Sequence, residues 1–109
     1  MHYMEDFESD FVDTNKQALI RIQKDYLISL IYSEQPYLAD KIVIENPDEE
    51  TQYLLGICKC LAAILFDETP PNLPDWSDKF EGRYHSIAMI ALRAMAKWDK
   101  LHKRLDLAH

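Results

Sequence analysis

The chain has 109 residues, 48% of them hydrophobic, and a formal net charge of −7 at pH 7. This length suits one domain that buries roughly two thirds of the surface that its unfolded chain would expose. The longest apolar stretch, residues 54–66, contains Lys59 and is shorter than the ~20 residues that span a bilayer. The first thirteen residues carry five acids and no Lys or Arg, which argues against a secretory leader.

We therefore expect a soluble protein, and its two cysteines point to the cytoplasm. Cys58 and Cys60 are two residues apart, so on a helix their side chains diverge by about 200° and cannot readily form a disulfide with each other. Free thiols fit a reducing compartment.

The acidic charge lies in the first half of the chain. Residues 1–53 carry twelve acidic and four basic side chains, whereas residues 54–109 carry seven and eight. The acids concentrate in an N-terminal arm, residues 1–13, and in a second cluster further along. The members are Glu5, Asp6, Glu8, Asp10 and Asp13 in the arm, and Glu45, Asp48, Glu49 and Glu50 in the second cluster. The arm also carries Phe7 and Phe11, so it is either a frayed terminus whose rings tuck into the fold or a segment that docks on a basic surface.

A first helix is predicted from a capping box, in which Thr14 and Gln17 satisfy each other's backbone N–H groups. Its apolar residues recur at helical spacing, and three more widen the stripe. The stripe is Leu19, Ile22, Tyr26 and Leu30, widened by Ile20, Leu27 and Ile31. Gln23 lies in the middle of it, either buried with partners for its amide or exposed in an interface. We expect this helix to end near Ser33.

A second helix is predicted from Pro36, a residue suited to a first turn, to about Glu45. The run of three β-branched residues at 42–44 (Ile42, Val43 and Ile44) also fits a short strand. Because the chain offers no second strand-like run to pair with it, helix is the favoured interpretation.

The third helix has the clearest start signal, with Asn46 as the cap and Pro47 in the first helical position. We expect it to run to about Asp67 and to be the central helix of a bundle, because Lys59 is the only charge between residues 51 and 66. Small side chains on one strip of this helix would let a neighbouring helix approach closely. They are Gly56, Cys60 and Ala63.

A loop with three prolines, residues 69–74, precedes a last helix that Ser77 can cap. Apolar residues then alternate four and three apart, as in a heptad seam. They are Phe80, Tyr84, Ile87, Ala91, Ala94, Trp98, Leu101 and Leu105. This helix of about 28 residues is predicted to be the longest element, ~40 Å if unbroken. The predicted fold is all-α, a single-domain four-helix bundle with a long C-terminal helix and an acidic N-terminal arm.

A basic stripe lies opposite that seam, formed by Arg93, Lys97, Lys100 and Arg104. It is either a contact for phosphates or acidic protein, or a solvated face with cations near the negative end of the helix, and the second interpretation is favoured.

Residues that could form a reactive or metal-binding site are sparse. Two helix-spaced pairs, Glu81 with His85 and His102 with Asp106, fit surface ion pairs better than metal ligands. The spacing of the two cysteines is too short for a zinc knuckle. We therefore expect a non-enzymatic protein with no cofactor and no metal.

Two hypotheses for function follow. The first is that the chain is a small acidic protein–protein interaction protein whose two acidic clusters bind a partner with a basic surface. A particular form is an inhibitor of an enzyme, which places carboxylates on the enzyme's nucleic-acid-binding surface where phosphates would otherwise sit. Neither membrane nor direct nucleic-acid binding is expected, because the chain is acidic. The alternative is a structural or assembly subunit that forms a homodimer through Trp98, Leu101 and Leu105 of its long C-terminal helix.

Overall fold

A computed structural model describes residues 2–74, 80 and 82–108, with side chains described from residue 15 to residue 102 of that part. In chain order the elements are α1 (His2–Tyr32), a 3₁₀ helix (Pro36–Lys41), α2 (Glu49–Leu65) and α3 (His85–Ala108). No strand occurs within these described ranges, and the all-α prediction is confirmed. The described part of the chain contains three α-helices and one short 3₁₀ helix.

Helix α1 is longer than the sequence indicated. It begins at His2, so the predicted start at Thr14 is wrong and the acidic residues of the N-terminal arm lie on helical backbone. Neither Pro nor Gly interrupts residues 1–32, and nothing forces the helix to start at the capping box. The side chains of the arm lie outside the described residues. With 31 residues, α1 also exceeds the 24 residues of α3, so the last helix is not the longest.

The end of α1 is a Schellman turn. The Gln35 N–H donates to the Leu30 carbonyl at 2.9 Å, and Glu34 adopts a left-handed conformation with φ of 61°. This turn ends the helix one residue before the predicted Ser33 and directs the chain into the 3₁₀ helix at Pro36.

The predicted second α-helix is wrong. The chain forms six residues of 3₁₀ helix and then continues in extended conformation, with φ −104° and ψ 143° at Ile42. Three β-branched residues in succession oppose helix continuation, and the described residues provide no strand to pair with them. The segment Ile42–Ile44 is therefore neither helix nor strand, but an extended connection that lies against α1.

Helix α2 starts two residues later than a cap at Asn46 would place it. Asp48 is the N-cap, and its Oδ1 accepts a hydrogen bond from the Thr51 N–H at 2.8 Å. An aspartate cap adds a full negative charge at the positive end of the helix, which asparagine cannot do. Asn46 instead adopts a left-handed conformation with φ of 47°. The helix ends at Leu65, close to the predicted Asp67.

The core forms around α2, which packs against α1, the 3₁₀ helix and α3. Buried side chains come from each of these elements. They include Leu27 and Ile31 of α1, Ala39 of the 3₁₀ helix, Leu54, Ile57 and Cys58 of α2, and Ile87 and Ala91 of α3. The prediction that α2 is central is consistent with this packing. At roughly 1.5–3 kcal/mol for each large apolar side chain buried, this cluster is the main source of stability.

The small-residue strip of α2 contacts a loop rather than a helix. Pro74 lies so close to Gly56 that an added Cβ would be 3.0 Å from its Cγ. The Cys60 thiol donates to the Pro71 carbonyl at 3.3 Å. The proline-rich loop thus occupies the groove that we predicted for a neighbouring helix.

Helix α3 begins at His85, later than predicted. Ser77 lies outside the described residues, and Tyr84 belongs to a turn in which Gly82 has φ of 73°, a conformation that favours glycine. Ile87 and Ala91 of the predicted seam are buried in the core. None of the helices in the described part of the chain is long and apolar enough to cross a membrane.

Candidate functional site

One end of the fold is held by a network of charged side chains centred on Glu50, in the first turn of α2. Its Oε2 accepts a hydrogen bond from the Tyr84 hydroxyl at 2.7 Å and another from Lys24 Nζ of α1 at 3.3 Å. Arg83 approaches Oε1 at 3.2 Å, and Lys24 Nζ also lies 2.7 Å from Asp48 Oδ2. One carboxylate thus joins α1, α2 and the turn that precedes α3.

The network lowers the pKa of both carboxyl groups. For Glu50, the hydrogen bond from Tyr84 lowers the pKa, and Lys24 and Arg83 add to this effect against the opposing influence of burial. Burial raises the pKa of Asp48, but its hydrogen bonds with Lys24 and Thr51 outweigh it and the pKa is lowered. Burial lowers the pKa of Lys24, and its two carboxylate partners raise it by more. All three groups are therefore ionised at neutral pH and already partnered.

This finding divides the second acidic cluster. Asp48 and Glu50 form internal ion pairs with Lys24 and Arg83, so their charges are already partly balanced within the chain, and their predicted role in partner binding stays a prediction. Glu45 is exposed and makes no ion pair with any residue that the structure describes. Glu49 is also exposed. The five acids of the N-terminal arm carry side chains outside the described set.

Two further exposed acids lie on the connection between α1 and α2, and the sequence interpretation overlooked them. Glu34 and Asp40 face solvent and, within the described side chains, have no basic partner. The signal was present in the sequence, because residues 34–50 contain six acids and a single base, Lys41. We refer to the exposed acids of this connection, Glu34, Asp40 and Glu45, as the acidic connection.

An exposed apolar surface adjoins the acidic connection. Leu19, Ile22 and Tyr26 of α1 are 55%, 63% and 38% exposed, and Val43 of the extended segment is 87% exposed. We call these four residues the α1 apolar surface. They line two adjoining hollows of about 340 Å³ and 580 Å³ between α1 and residues 42–46. Gln23 is half-buried and lines both hollows.

The position of this surface corrects the predicted face of α1. Leu19, Ile22, Tyr26 and Leu30 were predicted to form the centre of the apolar stripe of this helix. Leu30 is buried, but the other three are exposed, and the residues that were expected only to widen the stripe, Leu27 and Ile31, are buried in their place.

The distal part of α3 leaves the core. Trp98 is half-buried and Leu101 is 52% exposed; with Ile64 they line a hollow of about 520 Å³ at the end of α2. His102 stacks on Trp98, with ring centroids 3.7 Å apart, and its Nε2 lies 3.3 Å from Asp67 Oδ1. The predicted partner of His102, Asp106, carries a side chain outside the described residues, as does Leu105.

The basic stripe of α3 is solvent-exposed at its described positions. Arg93, Lys97 and Lys100 are all exposed and contact no carboxylate of the described part. Arg104 lies outside the described side chains. This exposure fits either interpretation of the stripe, as a solvated face or as a contact surface.

Reactive or metal-binding chemistry is not evident in the described part. Burial raises the pKa of Cys58 to about 12, and Asp40 adds to this shift, so the thiol stays protonated. Among the side chains that the structure describes, no three His, Cys, Asp or Glu residues are placed to hold a metal ion. Glu81, the predicted partner of His85, lies outside that part.

Comparison with known proteins provides no further assignment: no protein-family model matches the sequence, and neither a curated protein nor a solved structure shows significant similarity to it.

Proposed function

We propose that this chain is a small, non-enzymatic protein–protein interaction protein that binds a partner with a basic surface. The observation that carries the proposal is the acidic connection, where Glu34, Asp40 and Glu45 face solvent without a basic partner in the described part of the chain. Exposed carboxylates without basic partners contribute to a negative field that speeds the encounter with a cationic surface. The acids of the N-terminal arm, on the helical backbone of α1, add five negative charges to the same half of the sequence.

A particular form of this function is inhibition of an enzyme at its nucleic-acid-binding surface. Such surfaces present Lys and Arg at phosphate spacing, and exposed carboxylates can occupy the same positions. In this form, the bound protein and nucleic acid compete for one site on the enzyme.

The test begins with a pull-down from the native host and identification of the bound protein. With that partner purified, we expect the triple variant Glu34→Gln, Asp40→Asn and Glu45→Gln to associate about tenfold more slowly at low salt, since charge steers the encounter. Adding salt should bring the two association rates together, because the Debye length falls to about 3 Å at 1 M. Surface plasmon resonance measures both effects.

The parallel variant neutralises the arm, with Glu5, Asp6, Glu8, Asp10 and Asp13 replaced together by Asn or Gln. If the arm takes part, this variant also slows association while the circular dichroism of the described helices is retained. Association that responds neither to salt nor to either set of neutralised carboxylates would overturn the proposed function.

The second candidate, a subunit that self-associates through α3, is favoured by one observation. Leu101 is 52% exposed beside a half-buried Trp98, so the seam is not fully covered within the chain. If α3 pairs with a second copy, sedimentation at micromolar protein should show a dimer, and Leu101→Glu should return it to monomer. Trp98→Glu is less informative, because Trp98 contributes to packing against His102. A monomeric wild type would remove this candidate.

A further inference from the structure

We propose that two copies of this chain pair side by side in opposite directions, with the acidic N-terminal arm of each copy on the basic stripe of α3 of the other. The contact does not involve the acidic connection, and it therefore goes beyond the proposed function. It is argued from the positions of the arm and the stripe on either side of the network around Glu50, and from their opposite charges.

The network around Glu50 marks one level of the fold, from which the arm and the stripe extend in opposite directions. Lys24 of α1 and Tyr84, just before α3, both donate hydrogen bonds to Glu50 at the start of α2. From Lys24 back to His2, α1 extends about 33 Å. From Tyr84 to Ala108, the chain extends about 36 Å along α3. Together these lengths, about 69 Å, nearly account for the 75 Å long axis of the molecule.

Contacts along α2 fix the direction of α3. Trp98 lines a hollow with Ile64 near the end of α2, and His102 Nε2 lies 3.3 Å from Asp67 Oδ1. Helix α3 therefore runs beside α2 from its first turn to its end, whereas the arm precedes the level at which α1 meets the start of α2. Because α1 is one continuous helix from His2, the arm cannot fold back onto the stripe of its own chain.

The distances match between two copies. The middle of the arm lies about 24 Å from the level of the network, and the middle of the stripe lies about 21 Å from it on the other side. The arm and the stripe each extend over about 16 Å of helix. When two copies lie antiparallel with their networks at nearly the same level, each arm therefore faces the stripe of the other. Such a pair closes with twofold symmetry, the commonest arrangement of soluble oligomers.

The charges of the two segments are complementary. The arm carries five acids and no Lys or Arg. The described bases of the stripe are exposed and contact no carboxylate of the described part; they are Arg93, Lys97 and Lys100. Nearby acids lie on other faces of α3. Asp99 is at least 100° around the helix from each of the three bases, and His102, which holds Asp67, is at least 140° from them.

Helix dipoles alone do not explain this charge pattern. Acids near the start of a helix and bases near its end offset the dipole, but the effect fades beyond the first or last turn. Asp13 lies about three turns inside α1, and Arg93 lies about four turns before the end of α3. The two charged segments therefore extend further than the dipoles require.

The net charge of −7 on each copy opposes pairing only weakly. At 0.15 M salt the Debye length is about 8 Å, and the charge of each copy is spread along a molecule of 75 Å. Opposite charges in direct contact therefore outweigh the repulsion between distant acids.

Apolar residues complement each other as well. Met4, Phe7 and Phe11 are three and four residues apart, so their positions share one face of the helical arm. Beside the stripe, Leu101 is 52% exposed, and Lys97 borders the hollow that Leu101 also lines. A helix with apolar anchors between acids thus fits a hollow with a basic edge.

A charge swap tests the contact. The arm variant replaces all five arm acids with lysine, and the stripe variant is Arg93→Glu, Lys97→Glu and Lys100→Glu. The matched control changes three exposed bases outside α3, as Arg21→Glu, Lys41→Glu and Lys59→Glu, and has the same net charge as the stripe variant. Circular dichroism checks that each variant folds.

We expect the wild type to sediment as a dimer at micromolar protein in 0.15 M salt and to dissociate at 1 M salt. The dissociation constant should rise at least about tenfold in the arm variant and in the stripe variant alone, because arm and stripe then carry like charges. An equal mixture of the two should sediment as a heterodimer, since each arm again meets a stripe of opposite charge. The arm variant mixed with the control should not pair in this way.

Three outcomes would overturn the inference. A monomeric wild type would do so and leave the proposed function intact, because that function is tested with the acidic connection and a separate partner. A dimer that persists in the arm variant but is lost in Leu101→Glu would show direct pairing of α3 between copies. If the arm variant pairs equally well with the stripe variant and with the control, net charge alone drives the mixing.

Discussion

Replacing Glu50 with alanine is expected to lower the free energy of unfolding by about 2–3 kcal/mol. Tyr84 is 7% exposed, and its hydroxyl donates to Glu50 at 2.7 Å in a partly buried hydrogen bond, so the variant removes the acceptor of a donor that is largely shielded from water. Lys24 loses one of its two carboxylates. Arg83 is largely exposed and adds little. Chemical denaturation with urea measures the change, and Glu45→Ala, at an exposed and unpaired carboxylate, is the control that should stay within about 0.5 kcal/mol.

The same network makes the stability sensitive to acid. The pKa of Glu50 and that of Asp48 are both lowered in the folded chain, so their contribution is fully present above the pKa values of the unfolded state, 4.5 and 3.8. It is lost as the pH falls below about 4.5 and through the lower pKa values of the folded state. Glu50→Gln keeps an acceptor for Tyr84 but has no charge to titrate.

The stability of Glu50→Gln should therefore decline less than that of the wild type between pH 5 and pH 3. Unfolding experiments at several pH values in this window decide the point. Parallel decline of the two proteins, or a Glu50→Ala variant as stable as Glu45→Ala, would show that the network contributes no net stability.

The sequence predicted the helical elements best where a local pattern allowed a single interpretation. The all-α class followed from helical spacing throughout the chain, and the end of α1 and the burial of α2 followed from local residues. The start of α1 did not, because a capping box permits a helix start without requiring one. The short 3₁₀ helix was missed because six residues after a proline fit either helix type.

The site depends on contacts that no local pattern encodes. Glu50 and Tyr84 are 34 residues apart in sequence, and nothing near either of them indicates that they meet. The charges of the second acidic cluster were identified from the sequence, but which of them remain available depends on Lys24 of α1 and Arg83 of the turn before α3. Tertiary packing thus decided which carboxylates have an ion-pair partner within the described part of the chain and which do not.

The face that α1 turns to the core was the least determined feature, because eight apolar residues between 19 and 31 surround most of the helix. Leu27 and Ile22 lie about 140° apart on it, so only one of them can be central to the core. The structure places Leu27 there, with no exposed surface, and leaves Ile22 63% exposed. The periodicity alone favoured Ile22.

A pair of truncations tests this arrangement directly. Leu27→Ala should lower the free energy of unfolding by about 2–5 kcal/mol, because it removes a fully buried side chain and leaves a cavity between α1 and α2. Ile22→Ala, which removes a side chain of the same size from an exposed position, should cost less than about 0.5 kcal/mol. Urea denaturation of the two variants under identical conditions measures the difference. If the two losses were equal, or reversed, Ile22 would belong to the core and not to the α1 apolar surface.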